Sequence, residues 1–382
     1  MRIALLGDRF SQWGGGRDFL LSCANALNII NQTEPLQIYL LLPRKGILLE
    51  ETEIEHFRDW FRNISRNIQG IPYDNSQQGL IDSLHIINAD VVFPVMESLG
   101  KDFPVPWIGY WYDFQHKYYP EYFSADEYRL RDWEITRLLS EAKAILVAAR
   151  TVKEDALKFF PEASCQIFVL PPAPGPIIGY LGEEQDVHKK YSIPEKYFLI
   201  SNQFWVHKSH ITAFEALSIL KQKTDVNISI VCTGKTFDPR FPTYFSELEE
   251  KIKSMGIKDR VYILGHIPKQ DQIQIMYDAI AVLQPSLFEG TPGGGSVREA
   301  VSLGIPSIIS DIPVNKELTD KEVIFFRTGS VEDLAEKMVR VIPRALITPP
   351  ETTILEAKAK ARAQVRGEKL LEVISYVKMS RR

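Results

Sequence analysis

Two carboxylates bracket a glycine-rich turn in the segment Leu287-Phe288-Glu289-Gly290-Thr291-Pro292-Gly293-Gly294-Gly295-Ser296-Val297-Arg298-Glu299-Ala300. The apolar run Ala281-Val282-Leu283 precedes it, so Glu289 falls just past a strand end and Glu299 one turn into a following helix. A helix start presents backbone N–H groups and partial positive charge, which suits a diphosphate. An ionised carboxylate only accepts hydrogen bonds, which suits the hydroxyls of a sugar or a ribose. Favourable acidic charge early in a helix accounts for Glu299 without any ligand, but leaves Glu289 unexplained.

Lys208 lies in Trp205-Val206-His207-Lys208-Ser209-His210, between a strand and a helix start, where a lysine can neutralise a phosphate. Taken alone it reads more readily as a solvated lysine. His207 and His210 lack further ligands at zinc spacing, and no D-x-D occurs, so no metal is expected. Gly14-Gly15-Gly16 follows the first apolar run and precedes a helix that starts near Arg17. It would let backbone approach a phosphate, although it is not G-x-G-x-x-G. Cys232-Thr233-Gly234-Lys235-Thr236 ends like a P-loop, but that motif needs glycine where Ser229 stands. Tyr112-Asp113-Phe114-Gln115-His116 follows another apolar run. His116 is there an acid, a base, a donor or a structural histidine.

These residues need elements to hold them. Apolar runs recur at Ile3–Leu6, Ile38–Leu42, Asp90–Pro94, Trp107–Tyr110 and Ala144–Ala148, with helical patterns such as Phe19–Ile30 and Tyr128–Glu141 between them. That alternation predicts a parallel α/β sheet. Leu170-Pro171-Pro172-Ala173-Pro174-Gly175-Pro176 reads as a linker. The pattern then restarts at Tyr197–Ser201, Val226–Thr233, Val261–Leu264, Ala281–Leu283 and Ser307–Ser310. The expected organisation is an N-terminal domain over 1–172 and a C-terminal domain over 177–345, with a last helix near 362–382 packing back on the first. A ligand is expected beyond the carboxyl ends of the strands, between the lobes. The 382 residues carry a net charge of −4, and 45% are hydrophobic, as in a soluble globular protein without a basic footprint for nucleic acid. Three scattered cysteines and the absence of a leader or an 18-residue apolar run point to the cytoplasm. Arg58, Arg62 and Arg66 share one helix face, which would allow weak peripheral contact with the inner membrane surface or would simply be a solvated basic face.

The segment from Leu287 to Ala300, with Ser302-Leu303-Gly304-Ile305-Pro306-Ser307-Ile308-Ile309-Ser310-Asp311-Ile312-Pro313, resembles the donor-site signature of glycosyltransferase family 4. Tyr112–His116 with Tyr119-Pro120-Glu121, and Asn202–Lys208, resemble further segments of that family. The resemblance implies a retaining GT-B enzyme, α/β in class, with two Rossmann-like domains facing each other across a cleft, the N-terminal one for the acceptor and the C-terminal one for the nucleotide-sugar donor. It would move a glucose or mannose from a UDP- or GDP-sugar to a glycan or lipid-linked acceptor, without metal or cofactor. Glu289 would contact hydroxyls of the transferred sugar and Glu299 those of the ribose. The backbone around Gly294, Gly295, Ser296 and Val297 would face phosphates and sugar. Lys208 would neutralise the leaving diphosphate, Gly15 and Gly16 would close over it, and His116 would hydrogen-bond the donor sugar. Ile267, in Gly265-His266-Ile267, would lie where backbone meets the base. Two positions depart from the pattern: the two acids are spaced more widely than the usual E-x7-E, and Gln203 stands where many members carry arginine. A relative of this fold that binds nucleotide-sugar as a scaffold, with turnover impaired, is the alternative.

Overall fold

The computed structural model describes residues 1–12, 14–31, 35–43, 68–175, 177–181, 186–223, 226–343 and 350–379. The chain divides into two compact units, Met1–Pro176 with Ala359–Arg382, and Ile177–Lys358. The Arg58, Arg62 and Arg66 face lies outside the described residues.

The first unit is a seven-stranded parallel sheet built from β1 (Arg2–Leu6), β2 (Gln37–Pro43), β3 (Ile68–Tyr73), β4 (Val91–Val95), β5 (Trp107–Tyr110), β6 (Ala144–Val147) and β7 (Gln166–Val169), in the order β3-β2-β1-β4-β5-β6-β7. Its helices are α1 (Gly14–Ile30), α2 (Gln77–Ile86), the short α3 (Gln115–Tyr118), α4 (Ala125–Glu141) and α5 (Arg150–Phe159). Central strands are buried on both faces and so read as continuous apolar runs, as Ile3-Ala4-Leu5 does. The sequence patterning missed β3 and β7. Both are edge strands, and β3 carries Gly70 and Pro72, which an edge tolerates and an interior strand does not. The three glycines Gly14 to Gly16 are the first turn of α1 rather than a loop before it.

The second unit holds six parallel strands: β8 (Tyr197–Ser201), β9 (Ser229–Thr233), β10 (Val261–Ile263), β11 (Val282–Gln284), β12 (Ser307–Ser310) and β13 (Val323–Phe326), in the order β10-β9-β8-β11-β12-β13. The helices are α6 (Val187–Tyr191), α7 (His210–Lys223), α8 (Tyr244–Ser254), α9 (Lys269–Asp278), α10 (Gly294–Ser302) and α11 (Val331–Val341). The edge strand β13 also escaped the sequence patterning.

The last helix, α12 (Thr352–Met379), begins among residues of the second unit and ends in the first. Ala363, Leu370, Val373, Ile374 and Val377 recur at helical spacing and belong to the first unit's core with Leu20, Cys23 and Leu27 of α1. Gly367 lets the two helices approach closely, since a Cβ there would stand 2.6 Å from the Ala26 carbonyl oxygen. Arg366 is buried in the same layer, donating to the Pro171 carbonyl at 3.0 Å and standing over the Phe19 ring. Among the described residues no helix is long and apolar enough to cross a membrane.

Candidate functional site

In the second unit the strand order reverses between β8 and β11, the place where open α/β sheets bind ligands beyond their strand ends. The loops at that point are tied to one another through backbone. The Leu287 N–H donates to the His207 carbonyl at 2.8 Å, joining the loop after β11 to the loop after β8. Phe204 N–H donates to Lys235 and Gly234 N–H to Gly265, which adds the loops after β9 and β10. Gly234 is required for this contact. Its φ is +132°, and a Cβ would lie 2.2 Å from the Asn202 carbonyl oxygen.

On this frame Lys208 Nζ meets Glu289 Oε1 at 2.7 Å, with side chains only 12% and 6% exposed. Gln284, at the end of β11 and fully buried, donates to the same oxygen at 2.5 Å and to Ser286 Oγ at 3.0 Å. Gln284 Oε1 accepts from the Asn202 side-chain amide at 2.6 Å and from the Ser296 hydroxyl at 3.3 Å. Glu289 is therefore held from two sides.

The glycine-rich turn brings the start of α10 to the same place. Gly293 caps the helix in the left-handed region, φ +67°, with its N–H on Asn315 Oδ1 at 2.9 Å. Asn315 in turn donates to the Ser310 carbonyl at 2.9 Å, and Ser310 Oγ donates to the Ser286 carbonyl at 2.6 Å. A Cβ on Gly294 would stand 3.2 Å from the Gln284 amide and 3.3 Å from Glu289 Oε2. Gly295 is exposed with open space where its Cβ would be, so a ligand can approach the backbone there. Val297 is fully buried, which leaves only its backbone for a ligand.

Glu299, further along α10, pairs with Lys269 at the first position of α9. Gln272 donates to Ser201 Oγ at 2.7 Å and reaches Glu299 Oε2 at 3.5 Å. Ile267 is buried just before α9, and Gln203 is half-buried beside Gly234. The structure thus brings together Lys208, Glu289, Gly294 and Ser296, with Glu299 on the same helix as the last two. Sequence reading missed Gln284, Asn202, Asn315 and Lys269. The signal for Gln284 is a polar residue closing an apolar strand. For Lys269 it is a cation at a helix N-terminus, against the helix dipole.

His207 and His210 sit beneath the site. His210 is fully buried and stacks on Phe204, centroids 4.1 Å apart, with no hydrogen-bond partner for either ring nitrogen. Burial pushes it down to about 3, and holds His207 well below the ordinary histidine value. Both are neutral packing groups at physiological pH. No cluster of three His, Cys, Asp or Glu able to hold a metal occurs among the described residues.

In the first unit, His116 is fully buried in α3. Arg131 Nε donates to its Nδ1 at 3.1 Å, which leaves Nε2 as the protonated nitrogen donating to Asp132 Oδ1 at 2.9 Å. Burial, opposed by the Asp132 contact, keeps this ring below its ordinary value. Both ring nitrogens are thus bonded within the first unit, so a sugar hydroxyl at His116 would have to displace one of these two contacts. Gly15 is exposed and Gly16 buried at the start of α1.

Residues 183–349 match the family described as "Glycosyl transferases group 1". The chain is 27% identical over 219 residues to the O-antigen chain mannosyltransferase RfbU of Salmonella typhimurium, covering 56% of this chain and 54% of that one. It is 22% identical over 127 residues to the mannosylfructose-phosphate synthase of Agrobacterium fabrum, covering 33% of this chain and 28% of that one. The chain thus spans about half the length of the first curated relative and less of the second. Among solved structures, Anabaena Alr3699/HepE in complex with UDP-glucose superposes with a TM-score of 0.65 at 15% identity, covering 98% of this chain and 99% of that one. Sucrose-phosphate synthase from Thermosynechococcus elongatus superposes with a TM-score of 0.63 at 12% identity, covering 100% and 97%. At these identities the likeness is one of fold. The chain has the two-unit α/β architecture of the GT-B glycosyltransferases.

Proposed function

We propose that the chain is a retaining, metal-independent glycosyltransferase that moves a hexose from a UDP- or GDP-sugar to a hydroxyl of a glycan or glycolipid. The observation that carries this is the Lys208–Glu289 contact at the β8/β11 reversal, beside the start of α10. A nucleotide-sugar has hydroxyls at one end and a diphosphate in the middle, and this place presents a carboxylate, a lysine and helix-start N–H groups together. The second unit's match to glycosyl transferases group 1 covers the same residues, and Alr3699/HepE, of like fold, is solved with UDP-glucose.

Lys208 has three N–H donors and uses one on Glu289, so it can keep that bond while another meets the diphosphate. The bond from the sugar C1 to the diphosphate oxygen breaks as the acceptor oxygen bonds C1 on the same face. The acceptor proton passes to the leaving phosphate oxygen. Negative charge grows on the diphosphate in this step, and Lys208 with the positive end of the α10 dipole stabilises it where it develops. Glu289, fixed by Gln284, accepts hydrogen bonds from sugar hydroxyls, and Glu299 accepts those of the ribose once Lys269 gives way. His116 enters as a positioning residue, holding Arg131 and Asp132. The test is release of nucleoside diphosphate from UDP- and GDP-sugars in EDTA. Release, even slow hydrolysis without acceptor, supports the reading. Tight binding with no release identifies the scaffold instead, and no binding of any donor overturns both.

A further inference from the structure

The turn Gly234-Lys235-Thr236 closes β9, and no step of the proposed reaction uses it. It is pressed against the loop after β8. A Cβ on Gly234 would stand 2.9 Å from the Gln203 nitrogen, and the Lys235 carbonyl accepts from the Phe204 N–H at 2.9 Å. Just before the turn, Thr233 Oγ1 donates to Ser201 Oγ at 2.9 Å. Gln272 donates to that same hydroxyl oxygen and reaches Glu299 Oε2. Side chains thus lead from Glu299 to the end of β9, where Lys235 begins the next loop. Lys208 lies toward the opposite neighbour of β8, on the Glu289 loop after β11.

The loops after β8, β9, β10 and β11 are described throughout, and their lysines and arginines are Lys208, Lys235 and Arg240. Lys208 meets Glu289, and Arg240 meets Asp238, whose side chain is wholly buried, at 3.2 Å. Each pair sums to zero charge, as does Lys269 with Glu299. Lys235 is exposed and forms no ion pair with a described residue. A nucleotide-sugar brings a negative charge on each phosphate, so three neutral pairs leave it uncompensated. An ammonium on a flexible stem can follow such a charge without a fixed fork geometry.

We propose that Lys235 is a donor-binding residue, its ammonium neutralising the phosphate next to the nucleoside while Lys208 serves the phosphate next to the sugar. With Glu299 on the ribose, the nucleoside-side phosphate is the one nearer the Gln272–Ser201–Thr233 contacts. The proposal rests on the nucleotide-sugar reading for its ligand and adds to it the second cation and the phosphate that this cation meets. The bond that breaks lies on the sugar side, so the Lys235 contact is made equally before and during reaction.

Calorimetry of the full chain with UDP, UMP and uridine, and with GDP, GMP and guanosine, reads the assignment. Lys235→Gln should weaken the diphosphate and the monophosphate alike, about fivefold at low ionic strength and less at high salt, and leave the nucleoside unchanged. In turnover it should raise donor KM about fivefold with little change in kcat. The exposed position leaves folding intact, which the melting temperature checks. Lys235→Arg should hold the wild-type affinity. Gln203→Arg, which sets a guanidinium on the loop abutting Gly234, should return most of what Lys235→Gln loses. Unchanged phosphate affinity in Lys235→Gln, an equal loss for the nucleoside, or a loss that persists with both arginine variants overturns the proposal. A wild-type chain that binds neither diphosphate overturns it together with the parent reading. The expected phosphate pattern without diphosphate release from a nucleotide-sugar rejects donor chemistry alone, while release with Lys235→Gln indistinguishable from wild type rejects the Lys235 assignment alone.

Discussion

Lys208 and Glu289 compensate each other in a nearly dry place, so each variant must be judged on stability and on rate. Lys208→Gln should lower kcat/KM by about 10²–10³, the usual cost of removing one donor from a developing anion. It should also lower the melting temperature, because Glu289 is left buried without its cation. Glu289→Gln should lower kcat about a hundredfold with nucleoside diphosphate affinity unchanged in calorimetry, if, as proposed, the residue meets the sugar and not the diphosphate. Glu299→Gln should raise donor KM about tenfold and spare kcat, the signature of an interaction made equally before and during reaction. The buried histidines predict a pH effect of definite sign. Between about pH 6.5 and the folded value near 3, the unfolded chain takes up a proton at position 210 and the folded chain does not. Stability is therefore full above pH 6.5 and falls as pH drops, by about 2 kcal/mol at pH 5 for one such histidine. His210→Phe, which keeps the stack on Phe204, should flatten the melting temperature between pH 7 and 5; an unchanged slope counts against the assignment.

At the scale of elements, the turn before α10 is where backbone and chemistry meet. Gly294→Ala asks a left-handed position, φ +66°, to accept a side chain 3.3 Å from Glu289 Oε2. The expected result is a loss of about 1–2 kcal/mol in stability and a larger loss in rate than in nucleotide affinity, read by thermal melting beside steady-state kinetics. This turn also shows what was legible beforehand. Glu289, Gly294 and Glu299 could be picked out because glycines and acids in one short window are unusual after an apolar strand. Asn202 could not, because its bond to Gln284 spans 82 residues of chain, which no local pattern records, while Gln284 showed only as a polar residue closing an apolar strand, five residues before the Glu289 it holds. The central strands were readable for the same reason that they are central, being apolar on both faces. The edges β3, β7 and β13 were not, because one open side relaxes the demand for a continuous apolar run. His116 was picked out by its position just past a strand end, and the pattern carries no sign that Arg131 and Asp132 bond both its ring nitrogens.

For the molecule as a whole, the return of the chain into its first unit carries much of that unit's stability. Leu370, Val373, Ile374 and Val377 are all fully buried, and at about 2 kcal/mol each their removal is comparable to the entire stability of a domain. A chain ending at residue 358 should keep a folded second unit and lose the cooperative melting of the first, which calorimetry of the two forms compares. Gly367→Val, forcing a side chain against the Ala26 carbonyl, should cost about 1–3 kcal/mol in the first unit alone. The same helix also sets an order for biosynthesis. The strands of the first unit leave the ribosome ahead of the second unit but are completed by a helix that follows it, whereas residues 177–358 emerge as one uninterrupted stretch. A nascent chain stalled before α12 is out should already resist protease over that later stretch while its opening strands are still being cut.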